Sequence, residues 1–157
     1  QLADEAISEL RNRKSALVDT DGAIWLRRHR APDGPPRTYR LWARGLAWYV
    51  LGLARTLDAL PAPPADLIAE LQRAASFLLP LQTPEGMWRV FAAEPLTAPE
   101  SSGTAGLAAA LAIGVRRGWL GKPEARASHR ALRGLRSRLT PDGFLTGISQ
   151  SNKKEGG

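Results

Sequence analysis

The chain has 157 residues, 43% of them hydrophobic, and a net charge of +7, enough apolar material for a single buried core. The absence of cysteine and the presence of only two histidines, His29 and His129, exclude a disulfide framework and a thiolate metal site and argue against a histidine-rich one. No apolar run reaches the roughly eighteen residues of a membrane span and no charged, apolar leader opens the chain, so neither a span nor a signal peptide is expected. A cytoplasmic protein without metal or cofactor is the corresponding expectation.

Most of the surplus charge is arginine, whose planar fork pairs with carboxylates or phosphates, so acidic partners are the natural inference. The arginines are dispersed except for Arg27, Arg28 and Arg30 and the set from Arg126 to Arg138. No nucleic-acid module accompanies them, which makes nucleic acid an unlikely partner. A basic solvated surface is the competing account.

Helical periodicity predicts five helices, near residues 2–17, 42–60, 65–79, 102–117 and 123–139. Pro61 stops the second, Pro63 and Pro64 precede the third, Ser101 or Ser102 can cap the fourth, Gly118 follows it and Pro123 opens the fifth. The first, third and fifth read as amphipathic outer helices. In the fifth, Ala125, Ser128, Leu132, Leu135 and Leu139 form the expected apolar stripe. The second and fourth are apolar almost all round and read as inner helices with neighbours on every side. Arg44 and Arg55 lie on nearly one line of the second.

Long connections (18–41, 80–101 and from 140) alternate with short ones (61–64 and 118–122), which puts the long loops on one rim of an up-and-down array. Each long loop repeats a signature: Asp21-Gly22-Ala23-Ile24-Trp25, Glu85-Gly86-Met87-Trp88-Arg89 and Asp142-Gly143-Phe144-Leu145. An acidic residue before glycine suits a tight turn that aims the next apolar residues inward. This is an internal repeat of an outer-inner hairpin with its loop, and a ring of such hairpins is an α/α toroid.

Four segments then become specific. WARGLAW (Trp42 to Trp48) resembles the W-[GA]-R-G-x-x-W signature of unsaturated glucuronyl and rhamnogalacturonyl hydrolases, glycoside hydrolase families 88 and 105. ESSGTA (Glu100 to Ala105), PDGFLTGISQ (Pro141 to Gln150) and EGMW (Glu85 to Trp88) are similar to further elements of those families, in the same order. The resemblance implies an all-α, partial (α/α)6 toroid of alternating outer and inner antiparallel helices. Residues 1–152 would form about half of the six-hairpin barrel, with 153–157 a flexible tail. It also implies hydrolysis of lyase-generated oligosaccharides that end in a 4,5-unsaturated uronic acid, as in pectin degradation. There an aspartic acid protonates the vinyl ether carbon, water adds, and the hemiketal opens. That aspartate belongs upstream of the segment matching residues 2–17 and has no counterpart here, so the isolated chain is expected to be inactive. Asp19 and Asp21 stand on the wrong side of the first helix to replace it.

The resemblance makes Arg44 and Trp48 the substrate-binding pair. Their spacing of four puts them on adjacent turns of one helix face. Arg44 could instead pair with Glu100 across the rim, and Trp48 could be core. His29 is the rim histidine, though its RRHR context departs from the family pattern and a solvated loop residue is the stronger reading. Trp88 and Arg89 either line a sugar subsite or pack the turn. The partners that follow are an acidic oligosaccharide and, through open barrel edges, a second copy of the chain. The alternative function is a non-catalytic helical module with a vestigial carbohydrate or anion site.

Overall fold

The computed structural model describes residues 1–26 and 39–149. Among them are five helices, α1 (Leu2–Leu17), α2 (Ala43–Ala59), α3 (Ala65–Leu78), α4 (Ser101–Arg116) and α5 (Lys122–Arg136), with a 3-10 turn at Leu79–Leu81. A two-stranded antiparallel ribbon joins β1 (Trp88–Arg89) to β2 (Pro99–Glu100). All five helices fall within three residues of the limits read from the sequence. Pro64 is the residue before α3, and Gly118 follows α4 with a positive φ of 72°.

Alternation of burial defines the architecture. Eight residues of α2 and eight of α4 are buried, against none in α1 and six each in α3 and α5, so α2 and α4 are the inner helices. They cross at very close range. A β-carbon on Gly103 would lie 2.6 Å from Ala43, and one on Gly106 would lie 2.7 Å from the Ala47 side chain. Two glycines facing two alanines let the backbones meet, which fixes the N-terminal ends of both inner helices side by side.

Two expectations need correction. The cap of α4 is Glu100, whose carboxylate accepts from the Gly103 amide, whereas Ser101 is already helical and spends its hydroxyl on the Thr146 carbonyl at 2.6 Å. A buried carboxylate at a helix N-terminus satisfies an orphan amide and meets the positive end of the dipole. In α5 the packed stripe is Ala127, Ser128, Ala131, Gly134 and Leu135, while Leu132 and Leu139 are about half exposed, at 54% and 52%. Small residues win the contact because α4 and the Glu85–Met87 turn lie directly on α5. Ser128 donates to the Ala108 carbonyl at 3.0 Å, and a β-carbon on Gly134 would lie 2.6 Å from the Glu85 carbonyl oxygen.

The three acidic-glycine turns repeat in detail. Gly22, Gly86 and Gly143 have φ of 84°, 89° and 88°. In each turn the residue three before the glycine receives the glycine amide and donates to the residue after it: Asp19 with Ala23, Thr83 with Met87, Thr140 with Phe144, at 2.8–2.9 Å throughout. The first turn is secured by a buried polar group of three helices. Glu70, 1% exposed, accepts from Arg73 at 2.7 and 2.8 Å and from the Tyr49 hydroxyl at 2.9 Å, with Lys14 at 3.6 Å. Arg73 also donates to the Gly22 carbonyl at 2.8 Å. Burial alone would push the Glu70 carboxyl up, but the hydrogen bonds from Arg73 and Tyr49 overcome it and hold the carboxyl below its usual range. The Tyr49 hydroxyl is pushed up by burial and by the Glu70 carboxylate.

Candidate functional site

The rim is assembled by extended segments that lead into the inner helices. Leu41 donates to Ile24 at 3.0 Å, Ala92 to Leu41 at 2.8 Å and Ala43 to Val90 at 2.9 Å, so the first and second long loops are bonded together at the mouth of α2. Leu41, buried and at a positive φ of 53°, turns the chain into that helix. The third loop is joined to the mouth of α4, with the Ser101 amide donating to Gly147 at 2.9 Å. The N-terminal ends of α2 and α4 and residues 146–149 therefore converge.

Arg44 lies in the first turn of α2 and is half-buried. Its guanidinium sits over the Trp42 ring, 5.2 Å from the centroid, a cation–π contact that orients it. It donates to the Ser149 hydroxyl at 3.2 and 3.3 Å and to the Ser149 carbonyl. Ser149 in turn donates from its amide to Glu100 at 3.1 Å. The sequence-level alternative, an arginine meeting Glu100 across the rim, thus takes the form of a bridge through Ser149. Glu100 also accepts from the Ser102 hydroxyl at 2.6 Å and is fully buried.

Trp42 is buried at 4% exposure and packs edge-on against Trp48 at 5.5 Å. Trp48 itself is 57% exposed, so it is not a core residue. One side of it borders a cleft of about 320 Å³ between α1 and α2, shared with Trp25, Leu26 and Tyr49. Arg44 and Trp48 together offer a cation fork and an accessible indole one turn apart, an arrangement that can hold a carboxylate on a ring whose apolar face lies on the indole.

The other candidates separate from this pair. Trp88 is fully enclosed, its indole N–H donating to the Leu78 carbonyl at 3.0 Å and its amide to the Thr104 hydroxyl at 2.9 Å. A sugar cannot stack on it, and the turn-packing alternative describes it. Arg89 donates to the Thr97 carbonyl at 2.7 Å. His29 lies outside the described residues. Asp21 pairs with Arg40, and Asp19 accepts from the Trp25 indole at 3.1 Å, so both serve the first turn. The residue that the sequence did not single out is Ser149. Its only signal was its place in the segment Pro141 to Gln150. Among the described residues no group of acidic or histidine side chains could hold a metal ion, and no helix is long and apolar enough to cross a membrane.

The alternating inner and outer helices, with their loops gathered on one rim, define part of an α/α toroid. The model of Glycosyl Hydrolase Family 88 matches residues 1–156, and the chain belongs to that family. Among solved structures, a possible member of glycoside hydrolase family 105 from Salmonella enterica serovar Paratyphi A is 25% identical, with 96% of this chain and 41% of that one covered and a TM-score of 0.82. A family 88 glycosyl hydrolase from Bacteroides vulgatus is 26% identical over 92% of this chain and 45% of that one, with a TM-score of 0.76. A protein described as a polysaccharide lyase is 26% identical, with 93% and 44% covered and a TM-score of 0.77. No curated protein matches. The chain spans less than half the length of these relatives, and its fold is a partial (α/α)6 toroid.

Proposed function

We propose that this chain is the uronate-binding part of an unsaturated uronyl hydrolase that acts on lyase-generated oligosaccharides, with Arg44 and Trp48 as the residues that receive the terminal sugar. The observation that carries this reading is their pairing at the mouth of an inner helix, one fork and one exposed indole. Arg44 is now hydrogen-bonded to neutral oxygens of Ser149. A uronate carboxylate would replace them with charged acceptors, which make shorter and stronger bonds to a guanidinium. Family membership supports a carbohydrate substrate. The proton donor is proposed to come from outside these residues, because Glu100 is occupied as a cap and Asp19 and Asp21 as turn groups.

Calorimetric titration with an unsaturated uronyl disaccharide tests the reading. Weak binding that disappears in Arg44→Ala is the expected result, without loss of the conjugated ultraviolet absorbance that marks turnover. Unchanged binding in Arg44→Ala would remove the site. Turnover by the 157 residues alone would remove the proposed division of labour and return Asp19, Asp21 and Glu100 as acids. Self-association belongs to the same proposal. Leu132, Leu139, Phe144 and Ile148 are each more than half exposed, apolar area that a second copy would cover if the partial ring closes against it.

A further inference from the structure

The net charge is unevenly spread. Residues 1–121 carry 14 basic and 12 acidic side chains, whereas residues 122–157 carry 8 and 3. Pairing is uneven in the same direction, although, among the described residues, Arg55 and Arg89 in the first part form no ion pair. Arg11, Arg13, Lys14, Arg40, Arg73, Arg116 and Arg117 each meet a carboxylate. Among the described residues, Arg130, Arg133, Arg136 and Arg138 meet none.

Three of those four converge. Arg130, Arg133 and Arg138, with Ser137, line a cleft of about 630 Å³ whose far wall is Pro84, Glu85, Met87 and Pro99. The wall is rigid, because the Glu85–Gly86 turn rests on the α5 backbone. A β-carbon on Gly86 would fall 2.3 Å from the Arg130 carbonyl oxygen. Gln82, a neutral partner, accepts from Arg130. Glu85 is the one carboxylate among the described residues that line the cleft. It is held in the ionised form by its own backbone hydrogen bond, the Thr83 hydroxyl and the Arg89 charge. Three arginines against one carboxylate leave the cleft positive. Cations in the last turn of a helix also complement its dipole, which accounts for Arg133 and Arg136. It does not account for Arg130, further back, or for Arg138, beyond the helix, meeting in the same cleft. Arg138 also binds the site segment, its carbonyl accepting from the Thr146 amide and hydroxyl at 2.9 Å each. Residues 146–149 thus touch Arg138 at one end and Arg44 at the other.

We propose that this cleft is a second anion subsite, for the acidic sugars of a uronate-rich oligosaccharide. Its cationic character stands on the geometry alone, and the choice of a uronate ligand rests on the function proposed above. Planar guanidinium groups favour carboxylates over neutral sugars, and several forks in a preformed wall favour a ligand with repeated carboxylates.

The test is calorimetric titration of the 157-residue chain with tetragalacturonate, with its methyl ester and with a short DNA duplex, each at low and at moderate salt. Tetragalacturonate is expected to bind, the ester not to. Arg133→Ala with Arg138→Ala should weaken binding roughly tenfold or more, with circular dichroism unchanged. Arg133→Lys should retain part of the affinity, and Arg44→Ala should leave the cleft occupied. Equal binding by the double variant, equal binding of the ester, or no binding of tetragalacturonate would each overturn the proposal. Tighter binding of the duplex would overturn it in favour of nucleic acid. Loss in Arg44→Ala alone would overturn this cleft while leaving the inner site standing.

Discussion

The second and third acidic-glycine turns share φ within a degree and the same two hydrogen bonds, yet their surroundings are opposite. At Gly86 a β-carbon would strike the backbone of α5, and the residues that follow, Met87 and Trp88, are buried at 1% and 0%. At Gly143 nothing lies within 4 Å, and Phe144 is 69% exposed. The first turn stands between them. Gly22 faces side chains rather than main chain, the Arg73 guanidinium and the edge of Phe77, at 3.0 and 3.3 Å. Turn conformation is therefore written locally, in an acidic residue and a glycine. Closure is supplied by the next outer helix, α3 for the first turn and α5 for the second, and the third turn meets no such helix among the described residues.

Gly86→Ala should give the largest loss. It adds the cost of a left-handed φ to a collision with main chain that cannot step aside, for a total of at least about 3 kcal/mol. Chemical denaturation would show it as a fall in midpoint at unchanged slope. A loss no greater than that of the same change at Gly143 would break the contrast between the turns.

Glu70→Gln should come next, at roughly 2–3 kcal/mol, because it leaves Arg73 facing a neutral group in a buried position and loosens the first turn through the Gly22 carbonyl. Its pH dependence sharpens the assignment. The folded carboxyl titrates below the ordinary glutamate value of 4.5, so its contribution is whole at neutral pH. It starts to fall as pH drops past 4.5 and is gone below the folded value. The variant should accordingly lose less stability than the parent on acidification. The half-buried Asp58 and the exposed Asp66, held low by hydrogen bonds from Arg117 and Arg11, remain in both proteins. Parallel acid profiles would mean that Glu70 contributes no linkage.

Gly143→Ala should cost only about 1–2 kcal/mol, the strain of the left-handed backbone by itself. A cost equal to that at Gly86 would indicate that the third turn is covered in solution.

The helices, their inner and outer kinds and the repeated turns were legible because each follows from period, punctuation or a residue type with a single conformational use. Arg44 and Trp48 were singled out through a motif, and what the structure adds is their position at the mouth of α2. Leu41 was not, since nothing in a leucine advertises a positive φ. The α5 stripe was misread because leucines outweigh alanines in any apolar pattern, whereas close packing against a turn selects the small residues Ala127, Ala131 and Gly134. Trp88 could not be assigned to rim or core, because a residue just past a turn can point either way and Thr104, the partner that decides it, is 16 positions distant. Ser149 went unnoticed because a bridge between Arg44 and Glu100 exists only after two helix ends and a loop have been brought together.

The smallest effect on folding should come from Phe144→Ser, and it tests the open side of the comparison most directly. At 69% exposure the ring leaves little apolar area to lose, so stability should change by no more than about 0.5 kcal/mol. Association is a different quantity. If the third turn is covered by a second copy of the chain, the ring becomes buried there, and removing it forfeits on the order of 1.5–3 kcal/mol of burial, a dissociation constant weaker by roughly tenfold or more. Sedimentation or light scattering across a concentration series would read that shift, and Met87→Ser cannot serve as its control, because that side chain is already inside the monomer. A parent protein that stays monomeric throughout the series, or a Phe144→Ser variant that associates as the parent does, would mean that the exposed turn is not an interface between copies.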